Sequence, residues 1–175
     1  MPEPDRAVAI RPVRADEWRR WRETRLRMLR DDADFFATRY EDMVREPDTT
    51  WRDWVADAAE GDQKTLLVAE EDGRWLGVVG AFARVTPLEV QLISMWVDPA
   101  ARGRGIAGDL IRAVARWALG RGSTRVVLFV QEANAPARAL YERAGFTSTG
   151  DRAPAGGGRS AFKLILAASV RDLLA

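Results

Sequence analysis

At 175 residues the chain has the length of one domain, and with 47% apolar residues it can bury a core without covalent staples. It has no cysteine and no histidine, which excludes disulfide frameworks, thiolate nucleophiles, Ser-His-Asp triads and histidine–zinc sites. A net charge of +1 lacks the field of a nucleic-acid binder, and acid–base chemistry falls to carboxylates, tyrosine, lysine, termini or water.

No apolar run approaches the roughly 18 residues of a membrane helix. The polar start Met1-Pro2-Glu3-Pro4-Asp5 lacks the apolar stretch of a signal peptide. The expectation is a cytoplasmic protein with no membrane or nucleic-acid partner and no bound metal. Lysine is confined to Lys64 and Lys163. The arginines crowded between positions 6 and 30, with Asp16, Glu17 and Glu23 among them, read as a solvated helix face.

Residues 8–13 read as a first strand. Residues 16–30 read as an amphipathic helix with Trp18, Trp21 and Leu29 near one face, and 31–36 break the pattern. A second helical region, 40–59, is interrupted at Pro47, and Thr50-Trp51-Arg52-Asp53 resembles a capping box that restarts it. Residues 65–69 form a strand, Asp72-Gly73 is a hairpin turn signal, and 75–85 form the next strand. Thr86-Pro87 breaks the chain before a strand over 89–97. Residues 105–119 form a helix with the apolar stripe Leu110, Ile111, Val114 and Ala118, ended by Gly120 and Gly122. Residues 126–130 are a buried strand, 136–144 a short helix closed by Gly145, 153–158 a flexible loop, and 162–166 a final strand. Strands before, between and after helices predict one α/β domain over 1–175 with a sheet of mixed direction.

The most informative segment is Val97-Asp98-Pro99-Ala100-Ala101-Arg102-Gly103-Arg104-Gly105-Ile106-Ala107-Gly108. A buried strand ends, and a glycine-rich turn opens a helix. The first helical turn presents unpaired N–H groups and partial positive charge, and glycines admit a phosphate close to the backbone. Arg102 and Arg104 add charge at the rim. Gly103, Gly105 and Gly108 also satisfy the dinucleotide fingerprint, with Glu132 after the next strand. That pattern, however, should follow its strand directly, and 98–102 intervene.

Arg102, Gly105 and Ala107 form R-x-x-G-x-A, and Asn134 followed by Ala139-Leu140-Tyr141-Glu142-Arg143-Ala144-Gly145-Phe146 forms N-x-x-x-x-A-L-Y-x-x-x-G-F. In this order and spacing the two segments resemble the signatures of the GNAT family of N-acetyltransferases, in detail over 64–146. The resemblance implies an α/β fold with a mixed, splayed central sheet. It implies acetyl transfer from acetyl-CoA, a cosubstrate, to a primary amine by direct attack in a ternary complex. It divides the domain into acceptor-side elements over 8–60, an acetyl-CoA core over 64–146 and a C-terminal strand region over 147–175. Residues Gly103, Arg104, Gly105, Ile106, Ala107 and Gly108 then hold the pyrophosphate with Arg102. Met95, Trp96 and Val97 pair with the pantetheine arm as an added strand would, and Asn134 bonds that arm or caps its helix. Tyr141 stands beside the CoA sulfur.

Amine attack on a thioester expels a thiolate, to which a phenol can donate. Reference values of about 10 for tyrosine and about 8.5 for a thiol make full transfer slightly uphill. A primary amine of pKa about 10.4 is only about one part in 2,500 neutral at pH 7, so its proton needs an acceptor. Where several members carry a glutamate, this chain has Gln91, and Phe129 stands at another such position. Glu89, on the face of Gln91 if no bulge intervenes, is the candidate base beside Glu132, Glu41 or a water chain. The acceptor, a small-molecule or peptide amine, should meet the elements over 14–60, where one or two aromatics could wall its site with Glu41 or Asp42 attracting a cation. A non-catalytic acyl-CoA sensor, a dinucleotide-binding protein and a homodimer remain open.

Overall fold

The structure, a computed structural model, describes residues 8–86, 88–156 and 161–175. The expectations at 1–5, at Pro87 and at the end of the 153–158 loop lie outside them. Within these residues seven strands, β1 (Ala9–Pro12), β2 (Lys64–Glu71), β3 (Arg74–Ala83), β4 (Glu89–Val97), β5 (Arg125–Gln131), β6 (Thr147–Pro154) and β7 (Phe162–Ser169), pair in the order β1-β2-β3-β4-β5-β7-β6. Every neighbouring pair is antiparallel except β4 and β5, whose connection crosses over through a helix, as parallel pairing requires. The predicted α/β class with a mixed sheet is what the chain adopts.

Among the described residues six helices cover the sheet: α1 (Trp18–Asp31), α2 (Tyr40–Met43), α3 (Asp48–Glu60), α4 (Ile106–Gly120), α5 (Ala135–Ala144) and α6 (Val170–Leu174). Alternate residues of β2 and β3 serve opposite faces. Leu67, Ala69, Val79 and Ala81 join Leu110, Ile111 and Val114 of α4, with Leu173 of α6 beside them. Leu66, Val68 and Val78 join Trp18, Trp21, Trp51, Trp75 and Trp96 on the side of α1 and α3. Both faces being covered is why these strands read as continuous apolar runs. Asp72 and Gly73, both at positive φ, make the tight turn between them.

A bulge in β4 re-aims the second half of that strand. Val78 pairs with Trp96 and Gly80 with Ile93, so Val79 faces both Ser94 and Met95, and Ser94 sits at φ +54°. The extra residue reverses the side-chain phase. Val90 and Leu92 before it, and Met95 and Val97 after it, all face the α4 core, while Trp96 turns to the tryptophan-rich side. Glu89 and Gln91 precede the bulge and share a face, as expected.

Some boundaries differ from expectation. The helix expected to restart at Thr50 begins at Asp48 with Pro47 as its cap, because the fixed φ of proline suits an extended cap residue; the Thr50 hydroxyl donates back to Glu46 at 3.0 Å. Residues 153 and 154 belong to strand β6, not to a loop. β7 runs on to Ser169, whose hydroxyl caps α6 by accepting from the Asp172 N–H.

An ion-pair cluster pins the start of α1 to the sheet. Arg11 donates to Glu17 at 2.9 and 2.8 Å and to Glu70 at 2.7 Å, and the Arg14 N–H donates to Glu17 at 2.8 Å. The Arg11 bond, against the opposing effect of burial, brings the Glu17 carboxyl from its ordinary 4.5 down to about 2. A depressed carboxyl contributes stability that is present above its unfolded pKa and lost as pH falls through the folded one. Glu17→Gln should therefore cost about 1–2 kcal/mol at neutral pH and flatten the stability loss between roughly pH 4.5 and 2. Urea melts across that range check it: an unchanged slope would remove Glu17 as the acid-sensitive group.

Candidate functional site

Ladder pairing between β4 and β5 stops after Glu89↔Arg125, Val90↔Val126 and Gln91↔Val127. Beyond it the strands part, and a cavity of about 1350 Å³ opens between them. Residues 91–97 of β4 form one wall and 128–131 of β5 another, with the start of α4, helix α5 and the 35–38 segment completing the enclosure.

At one end lies the glycine turn. Asp98 closes β4 by accepting from the Ala100 N–H at 3.0 Å and from Arg27 at 2.8 Å. Gly103 and Gly105 come next, both at φ +81°, a conformation that side chains disfavour. A Cβ built on either would meet no protein atom within 4 Å. Gly105 is the N-cap of α4, so the first-turn N–H groups of Ile106, Ala107 and Gly108, which a helix leaves without intrahelical partners, border this space. Arg102 lines the cavity and is held by Val97 O at 3.1 Å and Asp32 at 3.3 Å; Asp32 also accepts from the Trp96 indole at 3.0 Å. Arg104, expected at the rim, pairs instead with Glu71 at 2.5 and 3.3 Å and does not line the cavity. The Ile106 side chain is core, so only its backbone can serve a ligand.

Met95, Trp96, Val97, Asn134 and Tyr141 all line the cavity. Asn134 is the N-cap of α5, its Oδ1 accepting from the Ala137 N–H at 3.1 Å, which leaves its amide donors for another partner. Tyr141 is buried, edge-on to Phe146 at 5.7 Å between ring centroids. Burial holds its phenol above the ordinary value, so it is a proton donor and not a base at neutral pH. Sequence reasoning missed Gln131 in the same wall, whose buried Nε2 has no hydrogen-bond partner. It also missed Arg25, Lys163 and the α6 segment, all of which line the cavity.

The candidate bases are not brought to the cavity. Glu89 pairs with Arg125 at 2.5 Å and Arg84 at 3.7 Å, Glu132 with Arg152 at 2.8 Å and Glu41 with Arg39 at 3.6 Å; none of these lines it, nor does Asp42. Gln91 and Phe129 do. Of the aromatics over 14–60, Trp18, Trp21 and Trp51 are buried in the core, and Phe35 and Phe36 wall the cavity.

Residues 15–146 match the model of the Acetyltransferase (GNAT) family. Over 87 residues the chain is 38% identical to a mycothiol acetyltransferase of Thermomonospora curvata, covering 49% of this chain and 29% of that one. Over 87 residues it is 37% identical to human N-acetyltransferase 8B, covering 47% and 38%. The chain thus spans well under half the length of these relatives. Its fold superposes on a GNAT acetyltransferase from Streptococcus pneumoniae with a TM-score of 0.79 at 19% identity, over 93% of this chain and 99% of the other. It superposes on a Salmonella typhimurium acetyltransferase solved with acetyl-CoA with a TM-score of 0.76 at 20% identity, over 94% of both. With its glycine turn at the mouth of a parted parallel strand pair, and a family match over most of its length, the chain belongs to the GNAT acetyltransferase family.

Proposed function

We propose that the protein transfers an acetyl group from acetyl-CoA to a primary amine by direct attack in a ternary complex. The observation that carries this is the open glycine turn continuous with the β4–β5 gap. Acetyl-CoA fits the residues present: Gly103 and Gly105 leave room that any Cβ would fill, the first turn of α4 supplies donors for a pyrophosphate, and the orphaned Gln131 amide and the donors of Asn134 suit the carbonyls of a pantetheine arm. Bound there, acetyl-CoA supplies an activated acyl group.

The residues of the chain do the rest. The unladdered edge of β4 over Met95, Trp96 and Val97 aligns an extended amide-bearing arm. Arg102, fixed by Asp32 and Val97, adds charge beside the cradle. Arg104 supports the turn through Glu71. Tyr141 keeps its proton at Oη and offers it to the departing sulfur. The desolvation that raises the phenol raises a thiol in the same cavity, so the mismatch in reference values does not widen against the donor. Glu89 stands off the cavity between two arginines, so the ammonium proton leaves through water along the Gln91 wall.

Three variants test this reading. Gly105→Val places a side chain where the phosphate should lie, at a positive φ that costs about 1–2 kcal/mol for a non-glycine residue. Acetyl-CoA affinity should fall tenfold or more, to order of magnitude, and calorimetry giving native affinity in a folded variant removes the cradle. Tyr141→Phe should lower kcat by about 10²–10⁴ with little change in CoA affinity; full kcat in the purified variant leaves Tyr141 as packing. Glu89→Gln should reproduce the native pH profile of kcat/KM on any accepted amine, and rate lost near neutrality and regained toward the pKa of the amine would restore Glu89 as the base.

A further inference from the structure

Two arginines of the long helix α1 are tied to the sheet and to the turn after β4, while Arg22, like Arg25, has a buried nitrogen without a hydrogen-bond partner. Arg20 donates to Glu70 at 3.2 Å and to Gly73 O, and Arg27 donates to Asp98 at 2.8 Å. Arg25 differs. It lies one turn from Trp21 and Met28, both buried, and is carried by them into the cavity wall. Among the described residues no carboxylate lies within ion-pair distance of it. Its guanidinium carbon sits over the ring of Phe36 at 4.9 Å, and its NH1 is sealed from solvent without a hydrogen-bond partner. Desolvation brings its pKa down to about 10, which still leaves it charged at neutral pH. A half-buried cation without a counter-ion is less stable than one whose surroundings supply the anion.

The remaining charges of the cavity say what that anion is attached to. Arg102 lies just before the glycine turn, Arg112 on α4 and Arg143 in the last turn of α5; Arg25 lies on the α1 wall with Phe36 beneath its guanidinium. Among the described residues the acidic side chains lining the cavity are Asp32 and Asp172, and Asp32 is already engaged by Trp96 and Arg102. A polycationic acceptor would find few carboxylates here and several like charges. An amine that brings its own carboxylate would find the guanidinium edge of Nε and Nη2, the part of the planar fork that is not sealed, able to bind it in two bonds, with aromatic rings beside it for an apolar body.

We infer that the acceptor is an amine bearing a carboxylate on an apolar body, of the α-amino acid class, and that Arg25 binds that carboxylate. The inference rests on the acetyl-transfer reading of the same cavity. Its test is binding. With the protein saturated in CoA, calorimetry compares L-leucine with L-leucinamide and L-phenylalanine with L-phenylalaninamide, for the native chain, Arg25→Met and Arg25→Lys. In the native protein the carboxylate member of at least one pair should bind tenfold tighter or more, to order of magnitude. Arg25→Met should abolish the difference and Arg25→Lys keep part of it, with CoA affinity unchanged in both. No carboxylate preference in the native protein, including no binding of either member, overturns the inference, and so does a preference that survives Arg25→Met. Should Arg25→Met fail to fold by circular dichroism, the native comparison and Arg25→Lys decide. Thiol release from acetyl-CoA is measured alongside: no turnover with an intact, Arg25-dependent preference removes the transferase reading and upholds the assignment of Arg25.

Discussion

A β-sheet has no room between neighbouring strands while its ladder is intact. Here the one parallel pair keeps only three residue pairs, ending at Gln91 and Val127, and everything functional in the molecule depends on that early stop. The extra residue at Ser94 bends β4, while β5 stays bound to β7 along its whole length. Two strand edges are left facing each other with backbone groups that each need a partner. A folded protein tolerates such groups where water or a ligand can satisfy them. An extended chain of amides is the natural occupant, and the glycine turn at the open end supplies donors for whatever anion terminates it.

The gap is held open from both faces. On one side α4 is seated by Ile106 and Leu110 against Gly77, where an added Cβ would lie only 3.2 Å from either of them and 3.1 Å from Trp96 O. On the other side α1 is fixed at both ends: Arg11, Glu17 and Glu70 hold its start, and Arg27–Asp98 together with the Asp32 bonds to Trp96 and Arg102 hold its finish. The same Asp32 thus positions a tryptophan of the core and an arginine of the cradle. Between these two fixed ends Arg25 has little freedom to leave the wall it lines.

Much of this was legible in the sequence where local chemistry decides the structure. The strands of the central sheet announce themselves by apolar content, the hairpin by Asp72-Gly73, and the turn before α4 by glycines that the backbone requires at φ +81°. Asn134 and Gly145 cap α5 as their types suggest. What escaped has a tertiary cause. β6 carries almost no apolar pattern because it is an edge strand paired only with β7, so burial never shaped it. Glu89 shares a face with Gln91, as the spacing says, yet two further residues along β4 carry it out of the cavity to Arg84 and Arg125. Arg25 is one arginine among many on its helix, and what sets it apart, its place in the cavity wall beside Phe36, belongs to its neighbours in space.

The electrostatics of the cavity bear on the missing base. A general base serves an acetyl transfer by removing a proton from an ammonium group. The same end is reached when the surroundings disfavour the ammonium form. Among the described residues five basic side chains line this cavity, Arg25, Arg102, Arg112, Arg143 and Lys163, against Asp32 and Asp172, with Arg102 paired to Asp32 and Arg112 to Asp109. Like charge and desolvation both lower the pKa of an amine. The surroundings therefore favour the neutral nucleophile, while a departing thiol, desolvated as the phenol is, still calls for a proton donor. In the proposed transfer Tyr141, protonated because it is buried, would add a donor at the sulfur without introducing a negative charge beside it. A carboxylate at the position of Gln91 would accept a proton, but it would also stabilise the ammonium it was meant to deprotonate. In a cavity already this basic, glutamine on that wall is compatible with turnover, with water carrying the proton away.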